Sequence, residues 1–286
     1  MLSFMKAASG VLSAICIASL SLTPTAAADA QTNRIRIEYY PPKNPALQAV
    51  YERVKERKAL EKFQELFSPF RLPIELTLQT GDCEGASNAW YNRPAISVCY
   101  EYLNEILQSV PKETTKAGVT PADAMMGQLV YVLAHEMGHA VFDILSIPIF
   151  GNAEDAADHF SVYIMLHFGK DQSRGLIAGA AYSYSRYVQK SEVTAPLAAF
   201  SDAHAPPAQR FYNLLCLAYG ADPTLFGDLV DNGYLPKSRA VGCKREYDQV
   251  AFAFRELITP HLDQQLAQKV LDKKWLPDVQ ASAAGK

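Results

Sequence analysis

Apolar and polar residues alternate at 34–40 (RIRIEYY), 73–80 (PIELTLQT) and 95–103 (AISVCYEYL). A period of two places every second side chain on one face, so each stretch reads as a strand. Pro41-Pro42 ends the first. Between the first two, residues 45–67 read as one amphipathic helix with Leu47, Val50, Val54, Phe63 and Phe67 facing inward. Its charged residues read as a solvated face. The turn-rich stretch before Ala95 contains Cys83, Asn88 and Tyr91. From residue 120 the period becomes helical. Thr120-Pro121-Ala122-Asp123 supplies a cap, a proline at the first position and an acid in the first turn of a helix running to about Leu145. The stretch SIPIFGN breaks it, and AEDAADHFSVYIMLHFG opens another. Further helices are expected at about 172–189, 206–219, 222–230 and 240–257. Strands first and helices later is an α+β pattern.

The N-terminus has the order of a secretory signal: Lys6, an apolar stretch at 7–22, and TPTAAADA with Ala-x-Ala options ending at Ala28 or Ala30. The expectation is a signal peptide over 1–28, cleaved at about 28–30; the competing reading is an uncleaved anchor, for which the stretch is short. A lipoprotein reading would need Cys16 at the cleavage point, and Ile15 precedes it. The remaining 31–286 is expected to form a single exported domain, periplasmic or secreted, with a strand-rich part at 31–119 and a helical part at 120–286. No later stretch reaches the ~18 apolar residues of a membrane span. A formal charge of −3 gives no reason to expect nucleic acid as partner.

Without the leader four cysteines remain, which reads as two disulfides with three possible pairings. The neighbours Cys83–Cys99 and Cys216–Cys243 are the expected pairs. A four-cysteine zinc site lacks its Cys-x-x-Cys spacing.

The apolar helix after Thr120 contains VLAHEMGHAVFDIL, residues 132 to 145. Burying so many polar groups is costly unless something satisfies them. His135 and His139 are four apart, so both imidazoles project from one face and can reach one Zn2+ ion, with Glu136 placed as a general base toward water. His-Glu-x-x-His arises by chance in fewer than about one in a hundred chains of this kind. A catalytic zinc keeps three protein ligands. Phe142 and Leu145 stand where a metzincin has glycine and histidine. Glu154 and Asp158, one turn apart on the next helix, offer a third ligand and a residue that orients His135. Asp155, Asp158 or His159 as the third ligand stays open. So does Asp143, one turn beyond His139, which either orients a ligand or meets solvent.

His135-Glu136-Met137-Gly138-His139 followed by Glu154-x-x-Ala157-Asp158 resembles the gluzincin zinc peptidases. It is most similar to the branch of CAAX-prenyl and heat-shock membrane proteases and to a set of secreted bacterial metallopeptidases. The resemblance implies a zincin-like fold: a small mixed sheet whose edge strand lies beside the active-site helix, then a mainly helical lobe. In that branch an Asn-Ala-Phe…Ile-x-Val segment supplies the substrate edge strand. SNAWYNRPAISVCYEY (87–102) looks like its counterpart through Asn88, Ala89, Trp90, Ile96 and Val98. A later histidine and arginine of the branch point to His204 and Arg210 in SDAHAPPAQRFYNLLC (201–216), His204 as donor to the developing oxyanion. Arg210 carries no catalytic role; Asp202 and Asp158 are its candidate partners. The matching segments cover 87–216. The membrane spans of the intramembrane relatives are missing, and GASNAW lacks the glutamate with which aminopeptidases hold a free amino terminus, which favours endopeptidase action.

The expected function is therefore an exported zinc-dependent hydrolase of peptides or proteins. Its rivals are a non-enzymatic module that binds metal or a partner, and a zinc hydrolase of non-peptide amides or esters. Glu136 favours the enzyme, because a structural zinc needs no neighbouring base.

Overall fold

The computed structural model describes residues 34–185, 187–188 and 196–275. The expected signal peptide, its cleavage region, Cys16 and the end of the helix expected at 172–189 lie outside them.

Four strands form a mixed sheet: β1 (Ile35–Tyr39), β2 (Leu76–Gly81), β3 (Ala89–Asn92) and β4 (Ala95–Cys99), in the order β1-β2-β4-β3. β2 runs parallel to both β1 and β4, and β3 runs antiparallel to β4. A parallel pair needs a crossover, and α1 (Gln48–Glu56) and α2 (Ala59–Phe67) provide it between β1 and β2. After β4 the chain turns directly into α3 (Tyr100–Ser109). The remaining helices are α4 (Pro121–Ile144), α5 (Ala153–Leu166), α6 (Lys170–Ser185), α7 (Pro207–Ala221), α8 (Asp228–Asp231), α9 (Lys237–Ala240), α10 (Cys243–Ala253) and α11 (Gln264–Leu271). All four strands precede the long helices, so the class is α+β.

α4 is the central element. At ~1.5 Å per residue its 24 residues span ~36 Å. Thr120 and Asp123 form a capping box: the Thr120 hydroxyl accepts from the Asp123 N–H, and the Asp123 carboxylate accepts from the Thr120 N–H. α5 and α6 pack along α4, β3 and β4 lie against it, and α7 closes over α5 and α6. The approach of α6 is close enough to require glycine: a Cβ on Gly179 would lie 1.8 Å from the Asp123 carbonyl oxygen. Disulfides join Cys83 to Cys99, where β4 meets α3, and Cys216 of α7 to Cys243 of α10. No helix among the described residues is long and apolar enough to cross a membrane.

Several expected elements are corrected. The helix expected over 45–67 is two helices, separated at Lys58 by a left-handed backbone (φ 50°). The Tyr39 hydroxyl accepts from the Leu60 N–H (2.9 Å) and donates to Glu61 (2.6 Å), so β1 itself caps the second helix. The strand expected over 95–103 stops at Cys99, because Tyr100, Leu103 and Ile106 bury one face of a helix. The stretch 222–230 is helical only from Asp228, and the one expected at 240–257 ends in a π turn at Phe254–Ile258.

The substrate edge read into Ile96 and Val98 is also corrected. Both lie in β4, which is paired on both sides and has no free edge. The edge strand is β3, which carries Ala89 and follows Asn88.

Candidate metal centre

His135 and His139 project from the same face of α4, with Gly138 between them on the neighbouring face. A Cβ on Gly138 would lie 3.2 Å from the Phe160 ring and 3.3 Å from the Ala157 Cα, so α5 rests almost on the backbone of α4. That approach brings Glu154 and Asp158 to the two imidazoles. Asn152 fixes the start of α5: its side-chain oxygen accepts from the Glu154 N–H (2.8 Å). Its amide nitrogen donates to the Ala203 carbonyl, which ties the His204 loop to the same point.

His135 Nε2 lies 3.1 Å from His139 Nε2 and 3.1 Å from Glu154 Oε2, and His139 Nε2 lies 3.3 Å from that same oxygen. A tetrahedral ion with bonds of ~2.0–2.1 Å requires donors ~3.3–3.4 Å apart. The triangle therefore has nearly the size one metal ion needs. With His135 donating Nδ1–H to Asp158 (2.8 Å), its Nε2 presents a lone pair to the other two donors. Three electron-rich atoms facing one another are repulsive unless a proton or a metal cation stands among them.

Electrostatics say the same. Burial lowers the His135 pKa, yet hydrogen bonds to Asp158 and Glu154 outweigh it and raise the value to about 9. Glu154 is lowered to about 2, chiefly by its hydrogen bond with His135. The centre of the cluster attracts positive charge, and the residues present fit a divalent metal. His204 adds a fourth donor, its Nε2 2.8 Å from Glu154 Oε2 and its Nδ1 3.3 Å from Asp202.

Behind His135 the site is closed. Arg210 grips both oxygens of Asp158, Nε to Oδ2 at 2.7 Å and Nη2 to Oδ1 at 2.6 Å. Its guanidinium lies 5.8 Å from the Tyr131 ring and 5.4 Å from the Tyr184 ring. Burial would raise the Asp158 carboxyl, but the hydrogen bonds from His135 and Arg210 hold it well below the usual range. A buried arginine, carboxylate and imidazole in sequence thus fix the orientation of His135.

In front of His139 the site opens into a cleft of about 490 Å³, lined among others by Ala89, Tyr91, Glu136, Glu154 and His204. Burial pushes the Glu136 carboxyl up, opposed by His135 and by a hydrogen bond from the Tyr91 backbone N–H. A buried carboxylate of raised pKa beside the donor triangle suits a general base. β3 forms the other wall. The Cys99 N–H donates to the Asn88 carbonyl (3.0 Å), so by antiparallel alternation Ala89 and Tyr91 turn their backbone groups away from β4. Two bonds tie this edge to α4. The Tyr91 N–H meets Glu136, and the Tyr91 hydroxyl donates to Asp143 (2.6 Å), which also pairs with Arg93 (3.2 Å). Asp143 is thereby an anchor for the edge strand.

Of the candidates for the third position, Glu154 alone brings an oxygen within 3.3 Å of both Nε2 atoms. Asp158 faces the far side of His135, and His159 lines an adjoining groove with Phe160 and Phe254 that meets the cleft at Phe142, Ile147 and Ile149. Arg210 pairs with Asp158, while Asp202 pairs with His204. Cys83, Cys99, Cys216 and Cys243 are bound in disulfides. No role was expected for Tyr91, Arg93, Asn152, Tyr131 or Tyr184. Tyr131 had a signal, one helical turn before His135 on the same face. Asn152 had one as well, as a capping residue two before Glu154. The others are brought in by tertiary structure.

No curated protein and no solved structure matches the chain. Residues 39–258, which include every residue of this centre, match a family described as "Putative metallopeptidase". The chain belongs to that metallopeptidase family.

Proposed function

We propose that the protein is an exported, zinc-dependent peptide hydrolase of the gluzincin type, with 31–286 as its single domain and endopeptidase action on extended polypeptide. The observation that carries this reading is the position of Glu136, a buried carboxylate between the donor triangle of His135, His139 and Glu154 and the free edge of β3. Two imidazoles and one carboxylate are a donor set that zinc takes in catalytic sites. A zinc ion held there supplies a Lewis acid and acidifies water toward neutrality.

The rest falls to the protein's own residues. Ala89 offers backbone N–H and C=O groups to which a substrate strand adds by edge pairing. Glu136, raised by burial, accepts a proton from water and delivers it to the leaving nitrogen. His204 donates toward the carbonyl oxygen as charge develops there. Asp158, held by Arg210, keeps His135 in the tautomer that leaves Nε2 free. The two disulfides are compatible with an oxidising compartment outside the cytoplasm.

A second reading rests on His204. Its ligand atom lies within 4.8 Å of those of His135 and Glu154, so four donors could close around one ion, as in structural sites. The open cleft beside Glu136 favours the enzyme. Purified protein assayed on casein with and without a chelator, alongside Glu136→Gln, separates the readings. Metal-dependent cleavage that Glu136→Gln abolishes supports the hydrolase; tightly bound metal without cleavage of casein or of simple esters supports the closed site.

A further inference from the structure

The other end of α4 lines a second cavity, of about 480 Å³, which shares no residue with the metal cleft. Its floor is apolar: Phe63 and Leu66 from α2, Leu103 and Ile106 from α3, and Met126 and Leu129 from α4. Its mouth carries Arg53 from α1, Arg57 just after that helix, Lys62 from α2 and Lys274, and no carboxylate is among its lining residues. In a chain with 30 acidic residues against 27 basic ones, four cations around one apolar hollow is a marked segregation of charge. Arg53, Arg57 and Lys62 are exposed, and none of the three has an ion-pair partner among the described residues.

The break at Lys58 builds this mouth. Arg53 and Lys62 are nine residues apart, as are Val54 and Phe63. On an unbroken helix each pair would point to opposite faces, at ~100° per residue. The left-handed residue between α1 and α2 swings all four onto one cavity.

We propose that this cavity binds a long-chain fatty acid, the alkyl chain on the apolar floor and the carboxylate at Arg53, Arg57 and Lys62. The volume lies within the ~300–1,000 Å³ of small-molecule sites. Guanidinium groups match a carboxylate in charge and in planar geometry. Met125 and Met126 give the wall the adaptability that a flexible chain requires.

Trp275 lines the cavity and is one of two tryptophans, so Trp90→Phe leaves it as the sole reporter. In that background, titration with laurate below its micellar concentration is expected to change the fluorescence saturably. Dodecyltrimethylammonium, with the same tail and the opposite charge, should not. Arg53→Glu with Arg57→Glu should weaken laurate at least tenfold, and Lys62→Glu, on the other helix, should weaken it less, each with an unchanged circular dichroism spectrum. Equal binding of the cationic amphiphile would overturn the proposal, as would laurate affinity indifferent to the charge reversals. Binding only to anionic phospholipid vesicles would overturn it in favour of a membrane surface. Laurate binding that emerges only after removal of residues 276–286 would make the chain's own C-terminal segment the occupant.

Discussion

The two histidines of the centre are chemically identical and one helical turn apart, yet the protein treats them differently. His135 is buried, and its Nδ1 is held by Asp158, which Arg210 holds in turn. His139 borders the cleft, and among the described residues its Nδ1 has no hydrogen-bond partner. The polar groups around His135 are consumed by one another. Those around His139 line the cleft: the buried Glu136, the outer edge of β3, and His204, which pairs with Glu154 and Asp202. One half of the centre is built to hold a charge in place, and the other half retains unspent chemistry. A substitution on the closed side should therefore act on metal affinity and stability, and one on the open side on turnover.

Glu136→Gln should break the open side most severely. An amide of the same shape keeps the bond from Tyr91 but cannot take a proton. Turnover on casein should fall by ~10²–10⁴-fold, with metal content unchanged by elemental analysis. Loss of the metal together with activity would move Glu136 to the holding side. His204→Gln should follow, with kcat down by ~10²-fold and the metal retained. If His204→Gln instead empties the site, the closed four-donor reading gains and the contrast between the two sides narrows.

On the closed side, Asp158→Asn should weaken metal binding by ~10–100-fold. It also leaves Arg210 buried without its counter-charge, a change that typically costs about 3–5 kcal/mol. Chelator competition and thermal unfolding read the two effects separately. The double variant Asp158→Leu with Arg210→Met sharpens the point: stability should return toward that of the parent while metal affinity stays low. Recovery of both would mean that Asp158 serves packing alone.

Much of this division was legible in the sequence, because helical spacing alone brings His135, Glu136 and His139 together. The pairing of Glu154 with Asp158 followed from the same rule applied to the next helix, and the capping box at Thr120 from three residues. The edge strand was legible only in part. AISVC and AWYN are both short and β-rich, and no periodicity says which lies inside a sheet; β2 decides that by pairing with β4. The break in 45–67 left a trace: the apolar stripe of Leu47, Val50 and Val54 skips Arg57 and Lys58 and resumes out of phase at Leu60. The partnership of Arg210 with Asp158 spans 52 residues, and local patterning does not encode it.

The smallest effect tests the link between the two sides. Tyr91 touches Glu136 through its backbone and Asp143 through its side chain, and burial followed by the Asp143 carboxylate pushes its phenol well above the usual range. Tyr91→Phe removes the hydroxyl bond and leaves the backbone bond in place. With the tyrosine half-buried and Asp143 exposed, the expected stability loss is at most about 1 kcal/mol. The kinetic signature is more telling than the stability. If β3 holds the substrate strand, loosening its anchor should raise KM for casein a few-fold and leave kcat nearly unchanged, because Glu136 and the donor triangle are untouched. A fall in kcat at constant KM would instead mean that the Tyr91–Asp143 bond positions the base, and that the edge strand belongs to the catalytic apparatus itself.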